Sequence, residues 1–220
     1  HMSDITMCYG MTETAPVSAQ SSTADSMERR VGTVGRVHPH LEIKIVDENG
    51  KVVPRGKLGE LCVRGYSVML GYWEDNDKTG EVIDVAKWMH TGDIAEMDDE
   101  GFVKIKGRIK DVVIRGGENL FPKEIEDFLY THPDVSDVQV IGLPDARYGE
   151  ELCACIILHD HHQANEEEIR KYCAEHISHN KVPRYVRFFT EFPMTASGKA
   201  QKFKLQEFMR QELNLIEDIA

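Results

Sequence analysis

Basic charge is in short supply in this sequence, and long apolar runs are missing. The 220 residues hold 26 Lys and Arg against 38 Asp and Glu, a net charge of -12. The deficit is shared, since residues 1–107 and 108–220 carry -6 each. Nucleic-acid binders need clustered Lys and Arg to neutralise phosphates, so that partner class is excluded. No run approaches 18 apolar residues, and no segment reads as a transmembrane helix. There is no internal repeat and no low-complexity tract. What is present, 41% hydrophobic and 29% charged residues, is the composition of a globular chain able to bury a core. No signal or transit peptide is visible. His1-Met2 reads as a cloning remnant, and the abrupt SDITMCYG that follows reads as the start of a piece of a longer chain.

Several kinds of chemistry are also missing. The five cysteines (Cys8, Cys62, Cys153, Cys155, Cys173) are odd in number and irregular in spacing. They read as buried free thiols in a reducing compartment rather than disulfides. Cys153-x-Cys155 has histidines nearby at 159, 161 and 162, but no second Cys pair follows and the histidines sit in a polar loop, so zinc is rejected there. No G-x-S-x-G nucleophile elbow occurs. PMTASGK at 193–199 is not a Walker loop either, because Pro193 replaces the first Gly and Ala200 follows the Lys.

The fold class expected is α+β, with a change of pattern near Lys110. Residues 41–47 alternate into Asn49-Gly50, residues 58–64 make a second strand, and 94–97 with 102–106 make a hairpin. Residues 109–115 read as a further strand ending at Gly116-Gly117. Beyond it the pattern is mixed. Pro122 opens a helix with Ile125, Phe128 and Leu129 on one face; 135–143 and 152–159 are strands. Asn165 with Glu168 is a capping box before a stripe of Ile169, Tyr172, Cys173, His176 and Ile177. A short strand at 185–189 and a helix bearing Leu205, Phe208, Met209 and Leu213 complete the chain.

Four segments could carry chemistry. In YGMTET, Gly10 permits close backbone approach, while Thr12 and Glu13 offer a hydroxyl and a carboxylate suited to a phosphate and its magnesium; a solvated turn is the bland alternative. In HTGD, Asp93 at a strand end can accept from both ribose hydroxyls, or can be a turn former after Gly92. GRIKD offers Arg108 to a nucleotide and Lys110 as a pivot, or is a polar corner. Gly116-Gly117 allows a thin ligand arm past backbone, or is turn chemistry. Lys199, on a small-residue loop, suits charge developing in a transition state, or is simply exposed.

Taken in order, YGMTET, GELCVRGYSVMLGYW, HTGD, GRIKDVVIRGGENLFPKEIE and PMTASGK resemble the adenylate-forming superfamily over nearly all of 3–204. Within it they are most similar to the fatty-acyl-CoA synthetases, in particular the medium-chain acyl-CoA synthetase family member 2 group. The resemblance implies that a fatty acid attacks the α-phosphate of ATP with magnesium, and that coenzyme A then displaces AMP. It implies that Tyr9 stacks on adenine, Thr12 contacts the α-phosphate and Glu13 holds magnesium. Asp93 and Arg108 would bind the ribose, Lys110 would be the hinge, Gly116 and Gly117 would line the pantetheine passage, and Lys199 would support adenylation. Residues 1–109 would then be the β-rich, distorted-barrel tail of the large domain and 110–220 the small mobile domain.

The superfamily's Ser/Thr/Gly-rich phosphate loop is absent from the chain, as is most of the acid pocket. The partner implied is therefore the N-terminal part of the same catalytic domain. The fragment alone is expected to be inactive, with exposed apolar surface that favours self-association. A cytoplasmic location is expected, with the mitochondrial matrix as the alternative. Two other readings stand beside this one: a carrier-loading adenylation domain, and a non-catalytic nucleotide-binding module.

Overall fold

The structure, a computed structural model, describes residues 4–196 and 198–215. The chain forms two compact units, His1–Lys110 and Asp111–Ala220. The first is built on two antiparallel sheets. Strands β1 (Cys8–Gly10) and β2 (Val17–Gln20) are followed by helix α1 (Met27–Gly32) and β3 (Arg36–Val37), and the three strands pair in chain order. The second sheet runs β4 (Leu41–Val46), β5 (Gly59–Gly65), β6 (Met89–Met97) and β7 (Val103–Arg108), again in chain order, with α2 (Asn76–Val82) between β5 and β6. Alternation decides which side of this sheet is dry. Ile45, Leu61, Ala95, Met97 and Val103 form the core on one face, joined by Tyr9, Val34 and Val53.

The second unit holds one five-stranded sheet. It contains β8 (Val113–Arg115), β9 (Glu118–Leu120), β10 (Val135–Asp145), β11 (Gly149–Leu158) and β12 (Tyr185–Phe188), with the order β10-β11-β8-β9 and β12 parallel to β11. Helices α3 (Pro122–Leu129) and α4 (Glu166–His176) supply Ile125, Leu129, Ile169 and Cys173 to one face, against Val138, Val140, Leu152, Ala154 and Ile156. Helix α5 (Lys202–Glu212) supplies Leu205 and Met209 to the other, against Ile141, Leu143, Cys153 and Cys155. Strand β11 is thus covered on both sides, which is why ELCACII reads as a continuous apolar run instead of alternating.

Local chemistry fixes the helix ends. The Asn165 side chain accepts from Glu167 and Glu168 N–H at 3.0 Å each, and Glu168 returns a bond from Asn165 N–H at 2.9 Å. Pro122 occupies the first turn of α3.

Three expectations are corrected. Residues 109–115 do not form one strand: Ile109–Asp111 is a 3-10 turn and only Val113–Arg115 pairs. Asp93 lies within β6, not at a strand end. Cys8 is exposed while the other four thiols are buried, because Cys8 sits on a short strand whose burial pattern leaves it outward.

Leu152 is fully buried at the centre of its core, so Leu152→Ala is expected to cost about 2–5 kcal/mol. Asn165→Ala removes only the cap and should cost about 1 kcal/mol. Urea denaturation of the two variants checks both the size and the order.

Candidate functional site

Asp93 is the best-defined polar group of the first unit. It faces Arg108 directly across the β6–β7 pair, its Oδ1 standing 3.3 Å from Arg108 Nε. Its Oδ2 accepts from the Tyr9 hydroxyl at 2.5 Å, which ties β1 to β6. The carboxylate is almost wholly buried, while the Arg108 guanidinium is half exposed. A buried carboxylate with one charged and one hydroxyl partner is held in a fixed orientation, and Arg108 keeps donor capacity for a ligand.

The backbone that presents Asp93 is irregular for a reason visible in the pairing. Cys62 pairs with His90, yet Glu60 pairs with Ile94, so β6 carries a bulge spanning Thr91, Gly92 and Asp93. Side chains hold the bulge: Thr91 Oγ1 donates to the Leu61 carbonyl at 2.7 Å and accepts from Asp93 N–H at 3.1 Å. Glu60 Oε1 accepts from Gly92 N–H at 3.0 Å, and Glu60 Oε2 lies 2.7 Å from His90 Nδ1. Sequence reading did not single out Glu60 or His90. The available signal was the even-numbered spacing of Glu60 and Cys62 on a strand whose neighbour carries HTGD.

Thr12 and Glu13 lie in the 3-10 turn Thr12–Thr14, directly after β1. Thr12 is exposed and Glu13 half-buried. The Glu13 carbonyl accepts from Met69 N–H at 2.8 Å, and its carboxylate accepts from the Tyr72 hydroxyl at 3.1 Å. One carboxylate oxygen therefore has a protein donor, and Tyr72 keeps its proton above the ordinary tyrosine value through burial and then this bond. Gly10 is required for a reason other than ligand approach. A Cβ there would lie 1.6 Å from the Pro16 carbonyl oxygen, so the close neighbour is the chain's own backbone.

The remaining named residues fall elsewhere. Lys110 is exposed in the 3-10 turn that ends the first unit. Gly116 and Gly117, at φ 59° and 84°, form the two-residue turn of the β8–β9 hairpin, the left-handed pair such turns demand. Gly116 N–H donates to the Tyr148 carbonyl at 2.8 Å. Lys199 is exposed on a tight loop of the second unit. Its N–H donates to Thr195 Oγ1 at 3.0 Å, its carbonyl accepts from Thr195 N–H at 2.8 Å, and Met194 and Ala200 bridge the base. Ser197 lies outside the described residues. The structure thus brings Tyr9, Asp93 and Arg108 into contact, sets Thr12 and Glu13 on the turn that follows Tyr9, and carries Gly116, Gly117 and Lys199 on the other unit.

Residues 1–73 match the profile of the AMP-binding enzyme family, and residues 124–199 match that of the AMP-binding enzyme C-terminal domain. The chain belongs to this family. It is 52% identical to the medium-chain acyl-CoA ligase ACSF2, mitochondrial, of Bos taurus, over 98% of this chain and 35% of that protein. It spans about a third of the length of such relatives. Among solved family members, ATP-bound MatB from Rhodopseudomonas palustris superposes with a TM-score of 0.87 at 33% identity, over 94% of this chain and 41% of that one. The o-succinylbenzoate CoA synthetase MenE from Bacillus subtilis, in complex with the acyl-adenylate intermediate OSB-AMP, gives 0.86 at 32% identity over 92% and 41%. The adenylate-forming resemblance and the mixed α and β class both hold.

Burial, then the acceptor and charge of Asp93, hold the Tyr9 phenol above its ordinary value of 10.0. A raised folded value means that the stability Tyr9 contributes is complete below about pH 10 and is lost as pH climbs through the folded value. Tyr9→Phe has no such proton. Its urea midpoint is expected to fall less steeply than wild type from about pH 9 to 11; parallel slopes would remove the assignment.

Proposed function

We propose that this chain is the carboxyl-terminal part of an acyl-CoA synthetase that activates a medium-chain fatty acid with ATP and passes the acyl group to coenzyme A. The observation that carries the reading is the contact set of Asp93 with Tyr9 and Arg108, in a chain half identical over almost its whole length to a medium-chain acyl-CoA ligase. A buried, fixed carboxylate beside an arginine with free donors suits a ribose diol, which offers two hydroxyls to one acceptor pair. In this reading Tyr9 presents its ring to the adenine while its hydroxyl stays on Asp93, and Thr12 donates to the α-phosphate.

Glu13 fits a hard cation, since it is a half-buried carboxylate that, among the described residues, accepts from one protein donor, the Tyr72 hydroxyl. Magnesium bound there would offset phosphate charge. Lys199 is the lysine assigned to adenylation. It stands on a loop closed by Thr195, so its stem leaves a fixed base, and an ammonium held in place stabilises charge as it builds on phosphate oxygens. Lys110 is assigned the hinge, and the Gly116-Gly117 turn the pantetheine passage.

The first unit also exposes Tyr66, Leu70 and Trp73 between β5 and α2. Single exposed apolar residues are ordinary; three in one short segment suit cover by the upstream part of the catalytic domain. The mitochondrial location of the ACSF2 relatives favours the mitochondrion over the cytoplasm. Among the described residues no helix is long and apolar enough to cross a membrane.

In the longer protein, Lys199→Ala is expected to lower magnesium-dependent pyrophosphate exchange with medium-chain acids by at least about a hundredfold. Thioester formation from preformed acyl-adenylate should stay within a few-fold. Equal losses in both half-reactions would remove Lys199 from the adenylation step, and no exchange with any carboxylate would remove the enzyme reading.

A further inference from the structure

On the face of the β4–β7 sheet opposite its core, three different metal-ligand types converge. Glu60 and Cys62 are two apart on β5 and so point to one face, and His90 is the cross-strand partner of Cys62. Their donor atoms all lie within 4.8 Å of one another. Cys62 Sγ is 3.5 Å from His90 Nδ1, which is 2.7 Å from Glu60 Oε2.

We propose that Glu60, Cys62 and His90 form a binding site for a zinc-class divalent metal ion. With Zn–S of about 2.3 Å and Zn–N of about 2.0–2.1 Å, sulfur and nitrogen ligands of a tetrahedral ion stand about 3.6 Å apart, and the Sγ–Nδ1 pair already has that separation. The Glu60–His90 pair has to open by about 0.6 Å to reach the matching nitrogen–oxygen separation, a side-chain adjustment for two partly exposed groups. Glu60 can make it without releasing the Asp93 bulge, because Oε1 holds Gly92 N–H while Oε2 serves the metal.

Charge supports the same ion class. Binding displaces the Cys62 thiol proton to solvent, so one thiolate, one carboxylate and a divalent cation sum to zero at a buried position. The neighbouring cation, Lys44, is paired in register with Cys62 but directs its ammonium over the Trp88 ring, 4.5 Å from the centroid. Thiolate with imidazole selects zinc-like ions over magnesium or calcium. Three protein ligands leave a fourth position for water on the partly exposed His90 side. This site is independent of the acyl-CoA reading, which stands or falls without it.

The test is cobalt titration of the metal-stripped 220-residue chain. The expected result is one equivalent bound with a sulfur-to-cobalt charge-transfer band and tetrahedral ligand-field bands, all displaced by zinc. The charge-transfer band should vanish in Cys62→Ser, persist in Cys8→Ser, and require at least tenfold more cobalt in His90→Gln. Absence of the band in wild type, binding without it, or its survival in Cys62→Ser would overturn the proposal. Should circular dichroism show Cys62→Ser to be unfolded, the partly exposed His90→Gln decides, and unchanged affinity there overturns it.

Discussion

Strand β6 has to satisfy two demands in nine residues, and the rest of the first unit is arranged around how it does so. Its alternate residues must close the core at Ala95 and Met97, and its bulge must turn Asp93 toward Tyr9 and Arg108. An inward carboxylate is costly unless its oxygens are occupied. Tyr9 and Arg108 occupy both, and each comes from a different strand. The contact therefore links a sheet whose own strands are only two to four residues long to a sheet with strands of six to nine. Short strands carry little stability alone, so the first sheet draws its position from this buried polar contact, from Tyr9 packing on the neighbouring core and from the backbone bonds of Val34 and Gly35 to Val103.

The second unit was the more legible in sequence because its signals are local. A capping box, a Pro at a helix start and a Gly-Gly turn each act within a few residues, and all three appear where the pattern puts them. In the first unit the legible parts were the alternating run at 41–47, the strand at 58–64 and the hairpin of 94–97 with 102–106. The pieces that escaped are β1, β2, β3, α1 and α2, which are two to seven residues long. Segments that short are fixed by what they pack against more than by propensity. The 109–115 run failed for a related reason. Its apolar residues suit a strand, but Ile109–Asp111 spans the sequence boundary between the two units, and among the described residues no strand pairs with it.

The site was legible as a list of motifs and not as a geometry. Asp93 and Arg108 are fifteen residues apart, and only strand register reveals that they are opposed. Gly10 was marked for the right property and the wrong neighbour, since what approaches it is Pro16. The spacing of Glu60 from Cys62 was visible but its role was not, because its work is to hold Gly92 N–H across a bulge, and a bulge is a mismatch between two strands that neither strand's sequence displays alone.

The two-sided cover of β11 has a bearing on how the protein ages. Cys153 and Cys155 are sealed within the second unit, and the pairing of the thiols followed by burial holds Cys153 in its unreactive, protonated form. Peroxide and alkylating agents act on accessible thiolate, so damage is steered away from that core and toward Cys8, the neighbour of Tyr9 and the cysteine open to solvent. Thiol oxidation on this chain accordingly begins on β1, beside Tyr9, while the two thiols of β11 are spared.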